Sequence, residues 1–430
     1  MTATQEPPAH ATGVPGGGFP SGDLTLLRFL VEQALSADTC ALSESELIDQ
    51  IQEIEALQAS LAALQASRIR AFARSHVENS PTDLDPEKLH RSVIAQIQLA
   101  CRVSTTEART RVADARDLHS GLDRIRGLHR AGELSAAKVS AIAVECRDLD
   151  TAQRAQVDAR LATSRDLTRY GIGRLRAMTR RLVAEIAPDR FRARVDAAKA
   201  ERRVTLRPAP DAMSYLTAYV PVEQGTACLA ALQRAFVEVQ VDPAPLTRTR
   251  GQVLADTLVE RVTGQATATA VNLEVQVTVP VQALLDPQSP LPAEIPGLGP
   301  VPVDLLATSE GTKSLRRLLT DQGIVIGGDS RRRTFTGLLA TLVKARAENR
   351  CTGDAPVRHL DHIHRDADGG RTELDNGRGV CEFHNHVREQ PGWQVFRAPD
   401  GIVVTTTPTG HRYCGPAPPP PPAPPPRAPS

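Results

Sequence analysis

Apolar residues recur every three or four positions over a long stretch near the start of the chain. The repeat is carried by Leu47, Ile51, Ile54, Leu57, Leu61 and Leu64. Ser43 and Glu46 form a capping-box pattern just ahead of it. This spacing predicts one long amphipathic helix over residues 43–77. Packing within its own domain and homodimerisation as a coiled coil both account for its apolar face, and the first is favoured.

Helical patterns continue from about Leu89 to Ile186, and the texture changes after Pro188. Aromatic residues make up only 3% of the chain, so its cores must rest on aliphatic side chains. Alternating apolar residues then predict a small β-rich part around residues 200–285, with helical segments between its strands. We therefore expect a mainly α fold with some β (α+β): a large helical N-terminal domain and a small C-terminal ββα module.

Composition divides the chain into five predicted parts. Residues 1–22 are rich in Gly and Pro, and residues 415–430 are rich in Pro, so both ends are predicted to be disordered. The helical domain is expected over residues 23–330, and it shows no recognisable catalytic constellation. An arginine-rich connecting helix is expected over residues 331–350, followed by the C-terminal module at 351–414.

Charge and cysteine content narrow the class of protein. The net charge is +1, which gives no global attraction to nucleic acid or to acidic membranes. Seven scattered cysteines do not resemble a disulfide framework. Neither a signal peptide nor a run of about 20 apolar residues is visible, so we expect a cytoplasmic protein with no membrane segment.

Histidines concentrate in one short segment of the C-terminal module. Five of the eleven histidines lie within residues 359–389. An Asp361-His362 pair sits on a predicted strand, a Gly369-Gly370 turn follows, and "EFHNHVRE" predicts a brief helix. Adjacent strand residues point to opposite faces, so this pair needs a local kink to serve one site. A ββα unit of this size is commonly stabilised by a metal ion.

The segment resembles an HNH endonuclease motif, also called ββα-metal, with His362, Asn376 and Asn385 at its three named positions. Phrases such as "DNGRGVC" and "REQPGW", with "ACRVSTTEARTRVADARDL" upstream, resemble an actinobacterial group. Those proteins couple an HNH module to a helical domain of unknown function, DUF222, also known as the 13E12 repeat family. The resemblance to the helical domain covers roughly residues 25–330. The resemblance to the HNH motif implies hydrolysis of phosphodiester bonds in DNA by a metal-dependent nuclease.

The resemblance implies a role for each matching residue. His362 would be the general base that takes a proton from water. Asp361 and Asn385 would hold one catalytic Mg²⁺ or Mn²⁺ ion through oxygen ligands. Asn376 would bond loop backbone and so orient His362. The third named position is usually His in this family, and His386 is a substitute ligand if Asn385 is not used.

Many modules of this type also hold a structural Zn²⁺ ion between two cysteine pairs, which are incomplete here. Cys381 and His384 keep the spacing of one half-site, and Cys351 remains from the other. The fourth ligand would be Asp354 or His359. Without zinc, the unit must be held by packing alone.

Residues 351–414 hold nine acidic side chains against seven arginines and so form no basic patch. Affinity for DNA would then have to come from the Arg331–Arg350 helix, the N-terminal domain or the bound cations. The expected contacts are Arg388, Arg331, Arg332, Arg333, Arg346 and Arg350. Two alternatives to the nuclease remain: a catalytically inactive nucleic-acid-binding protein with a degraded HNH fold, and a metal-stabilised protein-interaction module. The Asp361, His362, Asn376 and Asn385 set favours the nuclease.

Overall fold

The chain divides into two compact units, Met1–Gln58 and Ala59–Ser430. The computed structural model describes residues 21–36, 42–81, 84–241, 248–265, 267, 292–295, 299–302, 320–321, 324–325, 329–330, 334–347, 349–351, 355–399 and 401–414. Several predictions lie outside these residues: most of residues 1–22, the Pro-rich tail, the end of the β-rich part expected around residues 200–285, Asp354, Arg331, Arg332 and Arg333. The five-part division of the chain stays a prediction.

Helices dominate the described residues, and the predicted mainly α class with some β is confirmed. Their bounds are α1 Ser21–Leu35, α2 Glu44–Glu78, α3 Pro86–Cys101, α4 Thr105–Leu118, α5 Asp123–Arg130, α6 Ala136–Glu145, α7 Thr151–Leu161, α8 Ile172–Ile186, α9 Pro188–Ala200, α10 Val222–Val241, α11 Arg250–Thr263, α12 Gly337–Arg346 and α13 Glu382–Arg388.

The long helix expected over residues 43–77 is confirmed as α2. Its capping box forms as the pattern predicts: the Ser43 backbone donates to Glu46 Oε2 at 2.8 Å, and the Glu46 backbone donates to Ser43 Oγ at 3.3 Å. Farther along, Ala59, Ala63 and Ile69 are buried. Homodimerisation through this helix stays a prediction.

Two cores stabilise the helical part, and their buried members are aliphatic except for one cysteine, Cys146. The larger core joins α4 to α8 and includes Leu122, Ile142 and Leu175, each fully buried. The second joins α2, α3 and α4. Because aromatic residues are scarce, the cores consist of closely packed branched aliphatic side chains between helices.

The strands form small antiparallel sheets. Their bounds are β1 Arg203–Pro208, β2 Ser214–Tyr219, β3 Ala293–Ile295, β4 Gly299–Val301, β5 Thr320–Asp321, β6 Ile324–Val325, β7 Asp329–Ser330, β8 His359–His362, β9 Thr372–Glu373, β10 Gly377–Val380, β11 Gln394–Arg397, β12 Val403–Thr406 and β13 Arg412–Cys414. The pairs are β1–β2, β3–β4, β5–β6, β7–β9 and β8–β10, and one sheet has the order β11–β12–β13. Within the β-rich part expected around residues 200–285, β1 and β2 pair as an antiparallel hairpin.

The arginine-rich helix expected over residues 331–350 is shorter than predicted. Among the described residues, α12 begins at Gly337 after the N-cap Thr336 and ends at Arg346. Arg350 lies beyond it, in an isolated bridge with Pro356. α12 packs through Phe335, Leu339 and Leu342 onto the ββα unit, so one apolar face of the helix serves packing.

The C-terminal module, residues 351–414, packs against α3. Val387 and Trp393 form a buried cluster with Ala95 of α3, and Phe383 joins its edge. These apolar contacts place α13 directly beside α3. The candidate site therefore lies at the junction of the module with the helical part of the same compact unit.

Candidate functional site

The predicted ββα unit consists of β8, β10 and α13. The register places Asp361 opposite Arg378 and His362 opposite Gly377, with every residue of both strands paired. Because the pairing is uninterrupted, the Asp361 and His362 side chains leave opposite faces of β8. The local kink that one shared site would require is not found within this strand pair.

Asp361 lies at the centre of a double ion pair. Its Oδ2 accepts hydrogen bonds from Arg378 Nε at 2.9 Å and Nη2 at 2.7 Å, and another from Arg388 Nη1. Only 16% of the Asp361 side chain is exposed, and the two guanidinium groups are 17% and 6% exposed. Burial lowers the pKa of Arg378, and the nearby Asp361 carboxylate opposes that shift. One carboxylate thus serves two positive charges.

The sequence predicts that Arg388 contacts a DNA phosphate, but the structure shows its side chain bonded to other residues of the module. Besides Asp361, its guanidinium donates to the backbone oxygen of His362 and to that of Ile363, the latter at 2.6 Å. The residue is 5% exposed. A guanidinium that is buried and satisfied by internal acceptors is not presented to a DNA backbone, and Arg388 instead joins α13 to β8.

His362 lies in a half-buried position between a hydroxyl group and an aromatic ring. Its Nε2 is 2.9 Å from Thr372 Oγ1 on β9. The Phe335 ring lies 4.5 Å from the imidazole, centroid to centroid, at an interplanar angle of 40°. Together these contacts hold the imidazole in one orientation.

Asn376 holds the loop that follows β8. Its Oδ1 accepts from the His364 backbone at 2.8 Å, and its Nδ2 donates to the backbone oxygens of His364 and Arg371 at 2.9 and 2.8 Å. Gly370 is required in this loop, because an added Cβ would lie 2.0 Å from the His364 oxygen. The loop that leaves His362 is therefore fixed by one amide side chain.

Asn385 occupies the second turn of α13 and is half-buried. Its backbone donates to the Cys381 oxygen at 3.0 Å. Among the described residues, no hydrogen bond joins its side chain to Asp361 or His362. The structure thus shows Asp361 engaged by arginines and does not join it to Asn385 as a ligand pair.

Cys351, Cys381 and His384 come together as a candidate metal centre. Their ligand atoms all lie within 4.8 Å of one another. His384 Nδ1 is 3.1 Å from Cys351 Sγ and 3.2 Å from Cys381 Sγ. Both cysteines are buried, and the histidine is half-buried. This geometry could hold a metal ion with three protein ligands.

The two thiols of this centre lie close together, and this proximity separates their acidities. The neighbouring Cys351 thiol, and then His384, lower the pKa of Cys381, whereas the neighbouring Cys381 and burial raise the pKa of Cys351. Cys381 is thus the more acidic thiol of the pair. As for the fourth ligand, His359 is exposed and is not part of this cluster, and Asp354 lies outside the described residues.

Besides the His362 neighbours Thr372 and Phe335, sequence reasoning missed Arg378 and Gln98. Arg378 faces Asp361 because of the β8–β10 register, which only a prediction of strand pairing could have supplied. Gln98 of α3 places its Oε1 2.6 Å from His384 Nε2, across 286 positions of the chain. No local pattern in the sequence connects Gln98 to the module.

The other arginines predicted to contact DNA are placed as follows. Arg346 Nη1 donates to Asp375 Oδ1 at 2.8 Å and to the Leu374 oxygen at 3.2 Å. Arg350 is exposed. Arg331, Arg332 and Arg333 lie outside the described residues. Arg346 is therefore engaged with the module, beside Asp375.

Comparison with known proteins bears on the helical part of the chain. No helix among the described residues has the length and apolar character to span a bilayer. No curated protein and no solved structure gives a significant match. The model of one family, described as a domain of unknown function (DUF222), matches residues 48–284, more than half of the 430 residues. That match ends before the histidine cluster, so the HNH-type resemblance of the module stays a prediction. The chain belongs to the DUF222 family.

Proposed function

We propose that this DUF222 protein is an HNH-type endonuclease that hydrolyses phosphodiester bonds in DNA, with His362 as the general base. The observation that supports the proposal is the placement of His362 at the end of β8, 2.9 Å from Thr372, in a ββα unit whose loop is held by Asn376. A fixed, half-buried imidazole is suited to take a proton from water as that water attacks phosphorus.

The catalytic Mg²⁺ or Mn²⁺ ion that the resemblance implies fits this arrangement poorly. Asp361 Oδ2 already accepts bonds from Arg378 and Arg388, whose two positive charges oppose a dication beside them. An ion on Asp361 would have to displace both guanidinium groups. The proposed role of Asn385 as a ligand of that ion depends on the same rearrangement.

A structural Zn²⁺ ion fits the Cys351, Cys381 and His384 cluster. Thiolate and imidazole are the ligands that zinc prefers in structural sites. The cluster joins the segment before β8 to the first turn of α13, so zinc there would hold the ββα unit together. Metal analysis of the purified protein tests this assignment: about one zinc per chain is expected, and a Cys381→Ser/His384→Ala variant should lose it.

A plasmid-nicking assay tests the nuclease. Nicking by the wild type in the presence of Mg²⁺ or Mn²⁺ is expected, and His362→Ala should reduce the rate by about 10²–10⁴-fold. His364→Ala is the matched control, since this neighbouring histidine has an exposed side chain in the same loop. Equal nicking by wild type and His362→Ala would remove His362 from its proposed role.

A second candidate is a nucleic-acid-binding protein that does not cleave. The double ion pair of Asp361 favours it, because a carboxylate held by two arginines is not available to a catalytic cation. DNA binding without nicking by the wild type, in every divalent cation tried, would support this candidate over the nuclease.

A further inference from the structure

Three polar residues of α3 face the C-terminal module, and each is bonded to a different residue of it. Ser92, Gln96 and Gln98 are 4%, 5% and 2% exposed. Trp393 Nε1 donates to Ser92 Oγ at 3.2 Å, Thr409 Oγ1 donates to Gln96 Oε1 at 2.8 Å, and His384 Nε2 lies 2.6 Å from Gln98 Oε1. Buried polar groups are costly without partners, so this face of α3 is built for the module.

The Gln98 contact differs from the other two because its partner belongs to the candidate metal centre. The amide oxygen of Gln98 is an acceptor only, so the proton of the His384 ring lies on Nε2. In the neutral ring the lone pair is then on Nδ1, the atom that faces Cys351 and Cys381. Metal-binding histidines are commonly oriented by a bond of this kind on their other ring nitrogen.

We propose that Gln98 is a positioning residue for the metal centre, and that metal binding is thereby linked to docking of the C-terminal module on α3. This inference rests on the proposed metal centre and is independent of nuclease activity. Metal on the cluster stabilises the His384 orientation that bonds Gln98. By the reciprocity of linked equilibria, docking on α3 raises metal affinity by the same factor.

In the first test, the metal-free full-length chain is titrated with Co²⁺, and binding is measured by the thiolate charge-transfer and visible absorption of the bound ion. Competition with Zn²⁺ then gives the affinity for zinc. Gln98→Met removes the acceptor at nearly constant volume and should weaken metal binding by about 10–100-fold. Gln98→Glu keeps an acceptor and should retain wild-type affinity or exceed it. Gln96→Met is the matched control, since it breaks a buried bond between α3 and the module without touching His384.

Each outcome of the titration has one meaning. Equal affinity of wild type and Gln98→Met would overturn the inference. An equal loss in Gln96→Met would remove Gln98 from its positioning role, because docking in general, and not the bond to His384, would then set the metal affinity. A wild type that binds no metal would instead refute the proposed metal centre. The absorption spectrum reports the ligand set directly, so loss of the fold is distinguished from loss of affinity.

The second test uses Trp393, the single tryptophan of the chain. It is 7% exposed and packs on Ala95 of α3, so its emission reports docking. Removal of the metal by a chelator should shift the emission to longer wavelength in the wild type, and re-addition of Zn²⁺ should reverse the shift. Unchanged emission after verified metal removal would overturn the linkage between metal and docking.

Discussion

Asp361 is held by two guanidinium groups, and its replacement should cost much more than loss of a surface ion pair. Asp361→Asn leaves the mostly buried charges of Arg378 and Arg388 without their anion. Breaking a buried pair in this way costs about 3–5 kcal/mol. We therefore expect the free energy of unfolding, measured by urea denaturation, to fall by about 3 kcal/mol.

The matched control for this change is Asp375→Asn. Asp375 pairs with Arg346 at 2.8 Å, but 81% of its side chain is exposed. Exposed pairs contribute about 1 kcal/mol or less, so a small change is expected. Similar losses in the two variants would show that Asp361 does not anchor the buried arginines.

His129 should make the helical part less stable in mild acid. Its ring is 2% exposed, and Nδ1 lies 2.7 Å from the Leu134 oxygen. Burial lowers the pKa of His129 below its usual 6.5, although the bond to Leu134 partly opposes the shift. The unfolded chain then binds the proton more readily, so stability is complete above about pH 6.5 and is lost as the pH falls toward the folded pKa.

The variant His129→Asn tests this effect. It keeps a side-chain donor near Leu134 but cannot titrate, so its unfolding free energy should fall less than that of the wild type between about pH 7.5 and 5.5. Burial also lowers the pKa of His76, His90 and His119, so some pH dependence will remain in the variant. Identical pH profiles would contradict a titrating role for His129.

At the scale of the element, local signals predicted more than long-range ones. The capping box of α2 and the apolar repeat behind it sit within one helix, and the structure confirms both. The residue that pairs with Asp361 could not be predicted, because the register of a strand is defined only when the neighbouring strand is known.

The contact of β10 with α12 yields an element-scale prediction. A Cβ on Gly377 would lie 2.6 Å from Val343 Cγ2 and 2.8 Å from the Phe335 ring. Both partners are buried, so Gly377→Ala should push α12 away from the sheet and lower stability by about 1–3 kcal/mol. Since Phe335 also packs on His362, histidine-dependent nicking should fall as well.

Gly127→Ala is the control for that change. Gly127 lies within α5, and a Cβ there would meet nothing within 4 Å. Alanine is favoured over glycine in a helix by about 1 kcal/mol, so this variant should be as stable as the wild type or more stable. Loss of stability in Gly127→Ala, or none in Gly377→Ala, would contradict the packing argument. Thermal unfolding monitored by circular dichroism measures both.

At the scale of the whole molecule, the junction between α3 and the C-terminal module carries most of what the sequence could not predict. Composition and motifs distinguish the module from the helical part, and neither indicates that they pack together. Trp393 and Ser92 are 301 positions apart, and three such polar contacts depend on how α3 is placed by its own helical neighbours. A contact of that kind is set by the tertiary fold, while a cap or an apolar repeat is set by a few residues.

Charge across the molecule leads to a prediction about DNA binding. Net charge is +1, and Arg378, Arg388 and Arg346 are committed to Asp361 or Asp375. Few arginines therefore remain as proposed phosphate contacts. Three of them are the consecutive arginines at residues 331–333. Each phosphate contact contributes a slope of about −0.9 to the logarithmic dependence of affinity on salt.

Replacing those three arginines together with alanine should lower the magnitude of that slope by about 2.7, because three contacts are removed. Fluorescence anisotropy of labelled duplex DNA, over a range of salt concentrations, measures it. Arg346→Ala is the control, and it should leave the slope unchanged because Asp375 already neutralises this side chain. If the triple variant kept the wild-type slope while Arg346→Ala reduced it, the DNA-contacting surface would have to be assigned to α12 and its surroundings instead of the preceding arginine run.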